Sequence, residues 1–168
     1  AAYEAALASR AAGSGDDTAL RLKLADALAA TGAWEQALQE YQRAAIANPD
    51  DVGIQMALGN AYRAGGRTEQ ALAQYGRVNR IDPSYPFAFI RQGEVLDELG
   101  QLDQALAAYQ SAAAAAPDNA DALLTLAVAY RKRGMAPEAI AAFEAGLAID
   151  PSRDGARTAL EELRTKGK

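Results

Sequence analysis

Apolar residues recur along the chain at the three- and four-residue spacing of a single helix face, and glycine or proline interrupts the pattern at regular points. In the first clear pair of segments, Leu24 and Leu28 share the inward face of one helix. Ala37 and Tyr41 share the inward face of the next one. Gly32 stands between them, where a left-handed helix C-cap is expected. The pattern therefore predicts two helices that pack closely against each other across a short turn.

This pattern returns every 34 residues without a slip in register. Four independent series share the period: Pro49, Pro83, Pro117 and Pro151; Gly32, Gly66, Gly100 and Gly134; Ala37, Ala71, Ala105 and Ala139; and Tyr41, Tyr75, Tyr109 and Phe143. An internal repeat of this length indicates a solenoid, a propeller or a repeat array.

The stretch 52–85 shows the repeat most clearly. Its marker residues follow the order L-G-x2-Y … A-x3-[YF] … P and are Leu58, Gly59, Tyr62, Ala71, Tyr75 and Pro83. This order resembles the tetratricopeptide repeat, a helix–turn–helix unit of the same length. The resemblance extends over four consecutive units from Thr18 to Pro151 and implies an all-α, right-handed α-solenoid.

We predict a single domain over residues 1–168. Its parts are a partial N-terminal unit (1–15, second helix only), four units (18–51, 52–85, 86–119 and 120–153) and a C-terminal capping helix with a tail (154–168). The first helices are expected near 17–31, 52–64, 86–98 and 120–133, and the second helices near 34–47, 67–80, 102–115 and 137–149. In the last segment Ala156, Leu160 and Leu163 form one apolar stripe, which suits a cap with a polar outer face. The tail is expected from Thr165 onward.

Composition narrows the possible functions. The net charge is −5, from 17 basic and 22 acidic residues, and no basic stripe of the kind that binds nucleic acid is present. No apolar run approaches the roughly 20 residues needed to cross a bilayer. Histidine and cysteine are absent, so Ser–His and thiolate catalysis are impossible. Carboxylate pairs at helix starts suit capping better than acid–base chemistry. We therefore expect no enzyme activity, no metal and no cofactor.

The sequence says less about the source organism, the cellular compartment and whether the chain is part of a longer protein. The high alanine content suggests a bacterial source. No targeting segment is visible, and the absence of cysteine is compatible with the cytoplasm and with the periplasm. The chain begins with Ala1 and Ala2 and no methionine, which fits a mature secreted form or an excised piece of a longer protein. The repeat pattern is already under way at residue 3, which favours the excised piece.

The family resemblance implies a concave groove that binds a peptide or a helix of a partner protein, lined mainly by the first helix of each unit. Carried over by position, the groove residues are Leu22, Lys23, Asp26, Met56, Asn60, Arg63, Phe87, Ile90, Arg91, Glu94, Leu124, Val128 and Arg131. Trp34 is interpreted as packing at the turn between helices. The sequence fits poorly to the clamp with which some relatives hold the C-terminal carboxylates of chaperone tails.

Two questions stay open at this stage. The apolar row at the fifth position of each unit is either the floor of the groove or part of the core between units. The function is either peptide binding by a scaffold, self-association through the exposed N-terminal helix, or recognition on behalf of an enzyme whose catalytic domain lies outside this chain.

Overall fold

The computed structural model describes residues 17–166, and the predicted N-terminal helix (1–15) and the last two residues lie outside this range. Within it the fold is all-α, as predicted. The helices are α1 (Thr18–Ala30), α2 (Trp34–Ala47), α3 (Val52–Ala64), α4 (Thr68–Ile81), α5 (Pro86–Glu98), α6 (Leu102–Ala115), α7 (Ala120–Lys132), α8 (Ala136–Ile149) and α9 (Asp154–Lys166). They fall into two compact units, α1–α4 and α5–α9.

In the first unit, α2 packs against both α1 and α3, and α3 packs against α4. Its core is built largely from small residues: Ala25, Ala37 and Ala44 are fully buried. Leu38 and Tyr41 fill the space beside them in the same cluster. Because alanine needs little room and loses no side-chain entropy in a helix, this composition lets the helix backbones approach closely.

The turn from the first to the second helix of each repeat is closed by main-chain hydrogen bonds. Gly32 has a φ of 78°, and its N–H donates to the Ala29 carbonyl at 3.0 Å. The Ala33 N–H reaches back to the Leu28 carbonyl at 2.9 Å, which completes a Schellman motif. Three further glycines, each with a φ of 72°, sit at the same place in their repeats: Gly66, Gly100 and Gly134. The predicted left-handed C-cap at Gly32 is confirmed.

Two other glycines have a different role, since they make room for a tyrosine ring. A Cβ added at Gly59 would lie 2.7 Å from Cε1 of Tyr75. At Gly93 it would lie 2.7 Å from both Cδ1 and Cζ of Tyr109, and closer still to Cε1. In both repeats the ring of the second helix therefore lies directly on the backbone of the first.

The second unit ends with the expected cap. The apolar side of α9 buries Ala159 and Leu160 against Phe143 of α8, and Ala156 and Leu163 pack beside them. The opposite side of α9 is exposed, so the predicted stripe and the polar outer face are both confirmed. The helix continues through Lys166, so Thr165 and Lys166 belong to the helix and not to the expected tail, whose last two residues lie outside the described range.

Candidate functional site

The first unit contains a pocket of about 320 Å³ between α1 and α3, the first helices of repeats one and two. Small residues form much of its wall: Ala29, Ala57, Ala61 and Ala64. Two predicted site residues, Asp26 and Asn60, lie at its polar edge, and Trp34 and Tyr41 of α2 complete it. Pockets of this size, with an apolar wall and few polar groups, are typical of ligand sites.

Buried tyrosines hold both polar residues in place. The Tyr41 hydroxyl donates to Oδ1 of Asp26, and the Tyr75 hydroxyl donates to Oδ1 of Asn60 at 2.9 Å. Burial, the hydrogen bond to Asp26 and the charge of that carboxylate all raise the pKa of the Tyr41 hydroxyl well above its ordinary value. The phenol therefore remains a donor at neutral pH. Asp26 and Asn60 are exposed but anchored, which reduces the entropy that a ligand contact would cost.

The apolar row at the fifth position of each repeat is largely buried. Met56 and Ile90 are only 7% and 6% exposed, and Leu22 and Leu124 are partly buried. Leu22 packs against the core cluster of the first unit, and Leu124 against the last cluster of the second. For Met56 and Ile90, burial favours the core interpretation, because so little of either side chain is accessible to a partner.

Two more predicted residues are partly occupied by packing inside the second unit. The Phe87 ring lies 5.5 Å from the Tyr85 ring at an angle of 59° and packs against the cluster around Tyr109. Val128 packs beside the cluster that includes Phe143. Both side chains are partly exposed, so each keeps some surface toward solvent.

The predicted groove charges of the second unit, which are Arg91, Glu94 and Arg131, all have charged partners within that unit. Arg91 bonds to Glu94 at 2.8 Å within α5. Lys132 bonds to Asp97 at 3.2 Å, and the same Asp97 oxygen accepts from the Tyr109 hydroxyl at 3.3 Å. Arg131 lies 4.0 Å from Glu162 on α9. A ligand would have to compete with these pairs, so the charges are less available than the sequence suggested.

The remaining predicted residues lie outside the pocket. Lys23 is exposed and Arg63 is partly buried, and neither lines the pocket between α1 and α3. Conversely, the prediction did not include Trp34, Tyr41 or the alanines of the pocket wall. The sequence places Trp34 at the start of a second helix, and from that position we predicted only that it packs at the turn between helices.

Residues 17–166 offer neither a metal site nor a membrane span. No group of three or more acidic side chains in this range is placed to hold a metal ion. None of its helices is long and apolar enough to cross a membrane.

Comparison with known proteins identifies the family. The sequence model described as tetratricopeptide repeat matches residues 1–52, 22–86 and 90–154, which together include most of the chain. The chain therefore belongs to the tetratricopeptide-repeat family, whose members serve as protein-interaction scaffolds. A search of curated proteins finds no match.

Solved structures show the same solenoid fold. MamA from Desulfovibrio magneticus RS-1 is 24% identical with a TM-score of 0.69, over 92% of this chain and 88% of that one. The TPR protein TTC0263 from Thermus thermophilus is 25% identical with a TM-score of 0.68, over 97% and 87%. YrrB, described as a TPR protein with an unusual peptide-binding site, is 21% identical with a TM-score of 0.65, over 99% and 84%. At this level of identity the likeness shows the fold alone.

Proposed function

We propose that the chain binds a peptide segment of a partner protein in the pocket between α1 and α3, and that it acts by binding without a catalytic site of its own. The observation that carries the proposal is the composition of the pocket. Four alanines leave space beside the Trp34 and Tyr41 rings, so a bulky side chain of the partner can enter. Aromatic residues in such pockets often supply much of the binding energy.

The charge of the pocket suggests which peptide it prefers. Asp26 is the single charged group among the lining residues, and the Tyr41 hydroxyl fixes one of its oxygens. The other oxygen can still accept a hydrogen bond. We expect a bulky apolar side chain with a lysine or arginine next to it, because the basic group would pair with the Asp26 carboxylate.

The experiment starts from peptides selected against the purified chain from a displayed random library. Their Kd is measured by calorimetry for the wild type and for Ala64→Arg, which fills the pocket from an exposed position in the last turn of α3. We expect affinity to fall at least about tenfold, since the partner side chain loses its space. The matched control is Ala73→Arg, on an exposed face of α4 outside the pocket.

A second variant tests the charge separately. Asp26→Asn keeps an oxygen that can accept from Tyr41 but removes the negative charge. This variant should lower the affinity for basic peptides about fivefold or more. If every selected peptide bound Ala64→Arg as tightly as the wild type, the pocket would be refuted. Light scattering over a range of concentrations separates peptide binding from self-association, because a self-associating chain gains mass as its concentration rises.

A further inference from the structure

A second cleft, of about 440 Å³, lies among α2, α3 and α4 within the first unit. Gln55, Leu58 and Tyr62 supply the α3 side of this cleft. Since 3.6 residues complete a helical turn, these residues and the pocket residues Ala57 and Ala64 occupy different faces of α3. The cleft is therefore separate from the site proposed above.

A buried amide organises the cleft. Gln55 has 0% of its surface exposed, and its Nε2 donates to the carbonyls of Ala45 at 3.0 Å and Asn48 at 3.1 Å. Its Oε1 accepts from Nε2 of Gln74. Gln74 uses an N–H for this bond, so its own amide oxygen can still accept one. Burying an amide costs free energy unless it is fully bonded, and here the bonds also orient Gln74 at the cleft.

A second polar pair lies nearby. Nε2 of Gln42 donates to the Tyr62 hydroxyl at 2.8 Å, so the Tyr62 O–H can still donate to a ligand. The apolar part of the cleft includes Ile46, whose side chain is 78% exposed. The cleft has one charged residue, Arg77, whose Nη2 donates to the Pro49 carbonyl at 3.1 Å. Its other N–H groups can therefore bind an anion.

Repeats three and four provide an internal comparison, because their residues are offset by two repeat lengths from those of repeats one and two. One polar pair is the same in both: Gln110 donates to the Tyr130 hydroxyl at 3.1 Å, as Gln42 does to Tyr62. Four other positions differ. In the second repeat pair, Ala114 replaces Ile46, Leu123 replaces Gln55, Ala142 replaces Gln74 and Ala145 replaces Arg77.

This comparison separates folding from binding. The second repeat pair folds with one leucine and three alanines at these four places, so the fold does not need an isoleucine, two amides and an arginine there. A buried glutamine in place of a leucine is tolerated in the first unit because both ends of its amide are hydrogen-bonded. In the first unit its use is to position Gln74 next to Arg77 and an exposed aliphatic side chain.

We propose that this cleft binds an extended peptide segment of a partner protein that carries an aspartate or glutamate beside an aliphatic residue. The carboxylate pairs with the Arg77 guanidinium, and the aliphatic side chain covers Ile46. Main-chain N–H and C=O groups of the segment bond to the Gln74 amide oxygen and the Tyr62 hydroxyl. The occupant is acidic because the single charge of the cleft is positive, although the chain as a whole carries −5.

The test uses fluorescein-labelled hexapeptide pools. The first two pools are C-terminally amidated, so their side chains carry the only carboxylates besides that of the dye, which all pools share. One pool contains leucine or isoleucine next to aspartate or glutamate, and the second has lysine at the acidic positions. A third arm places a free terminal carboxylate after leucine, without acidic side chains. Fluorescence anisotropy measures the binding of each pool to the wild type, Arg77→Ala and Ile46→Ala. Arg77→Ala introduces the alanine that the second repeat pair has at Ala145, and Ile46→Ala introduces the one that it has at Ala114.

We expect the acidic pool to bind the wild type about tenfold more tightly than the lysine pool, and Arg77→Ala to remove most of this preference. Ile46→Ala should lower the affinity for the acidic pool about threefold or more, because it removes apolar contact area. Arg80→Ala, an exposed arginine of α4 outside the cleft, should bind as the wild type does. Thermal melting and helical content measured by circular dichroism confirm that each variant is folded.

Three results would overturn the proposal. The first is equal binding of the acidic and lysine pools, and the second is binding that Arg77→Ala leaves unchanged. The third is binding of the terminal-carboxylate arm alone, which would assign the cleft to a chain end. Ala64→Arg distinguishes the two sites, because it should abolish binding in the pocket between α1 and α3 and leave the acidic pool unaffected.

Discussion

The contact between Gly93 and the Tyr109 ring gives the sharpest stability prediction. Replacing Gly93 with alanine adds a Cβ that would lie 2.7 Å from two ring carbons, well inside the normal separation of carbon atoms. Tyr109 is 4% exposed and buried among other side chains, so the ring cannot simply turn into solvent. Either α5 and α6 move apart or the ring shifts and weakens its 3.3 Å bond to Asp97.

The magnitude follows from opposing effects. Overpacking a filled core costs about 1–3 kcal/mol, and a lost hydrogen bond costs about 1 kcal/mol. Alanine returns about 1 kcal/mol through its higher helix propensity. Repeat one has Ala25 two repeat lengths before Gly93, in the same cluster as Tyr41, so this fold can accept an alanine beside the ring. We therefore expect Gly93→Ala to lower the free energy of unfolding by about 1–2 kcal/mol.

Urea denaturation followed by circular dichroism measures this change. Gly155→Ala is the matched control, because Gly155 lies in α9 and a Cβ there meets nothing within 4 Å. The control should be neutral or raise stability by up to about 1 kcal/mol. If Gly93→Ala stabilised the chain as much as Gly155→Ala does, the close ring contact could not be what requires a glycine.

Three further predictions concern turns and titrating groups. Gly66→Ala should lower the free energy of unfolding, measured in urea, by about 1–2 kcal/mol, because φ is positive there and no side-chain contact compensates. Gly66→Asn should lower it by less, and equal stability of the wild type and both variants would contradict this. The raised pKa of Tyr41 means that its contribution to stability is complete below its unfolded pKa of about 10 and is lost as the pH rises further. Tyr41→Phe should therefore reduce the drop in urea midpoint between pH 8.5 and about 10.5, whereas an unchanged drop would show that the bond to Asp26 does not control it. Hydrogen bonds from Ser152 and then from Arg153 lower the pKa of Asp150 to about 2. A carboxyl NMR titration should therefore show that Asp150 stays charged down to that pH and loses its favourable contacts below it. Ser152→Ala should raise this pKa, and a normal pKa for Asp150 in the wild type would contradict the geometry.

The sequence predicted the fold well because the decisive signals are local. Gly32 could be placed at a helix end because only a left-handed residue suits that position, and Tyr41 could be placed inward by helical spacing. The burial of Met56 could not be predicted in the same way. Whether a residue on that face meets solvent or protein depends on how closely neighbouring helices pack, and the small residues that set the distance are remote in sequence.

The candidate sites were harder to predict for a related reason. Asp26 and Asn60 were predicted from their repeat position, but the tyrosine hydroxyls that hold them come from helices 15 residues further along the chain. Gln55 was not among the predicted site residues. Comparison with Leu123, two repeats later, was the available signal that its burial is not required by the fold.

Trp34 gives the first unit a built-in optical probe. It is the only tryptophan in the chain, and it forms part of the wall of the pocket between α1 and α3. The cleft among α2, α3 and α4 contains Tyr62 but no tryptophan. Excitation at the red edge of the indole band should therefore detect an occupant of the pocket without any label, and an occupant of the cleft should leave the emission nearly unchanged.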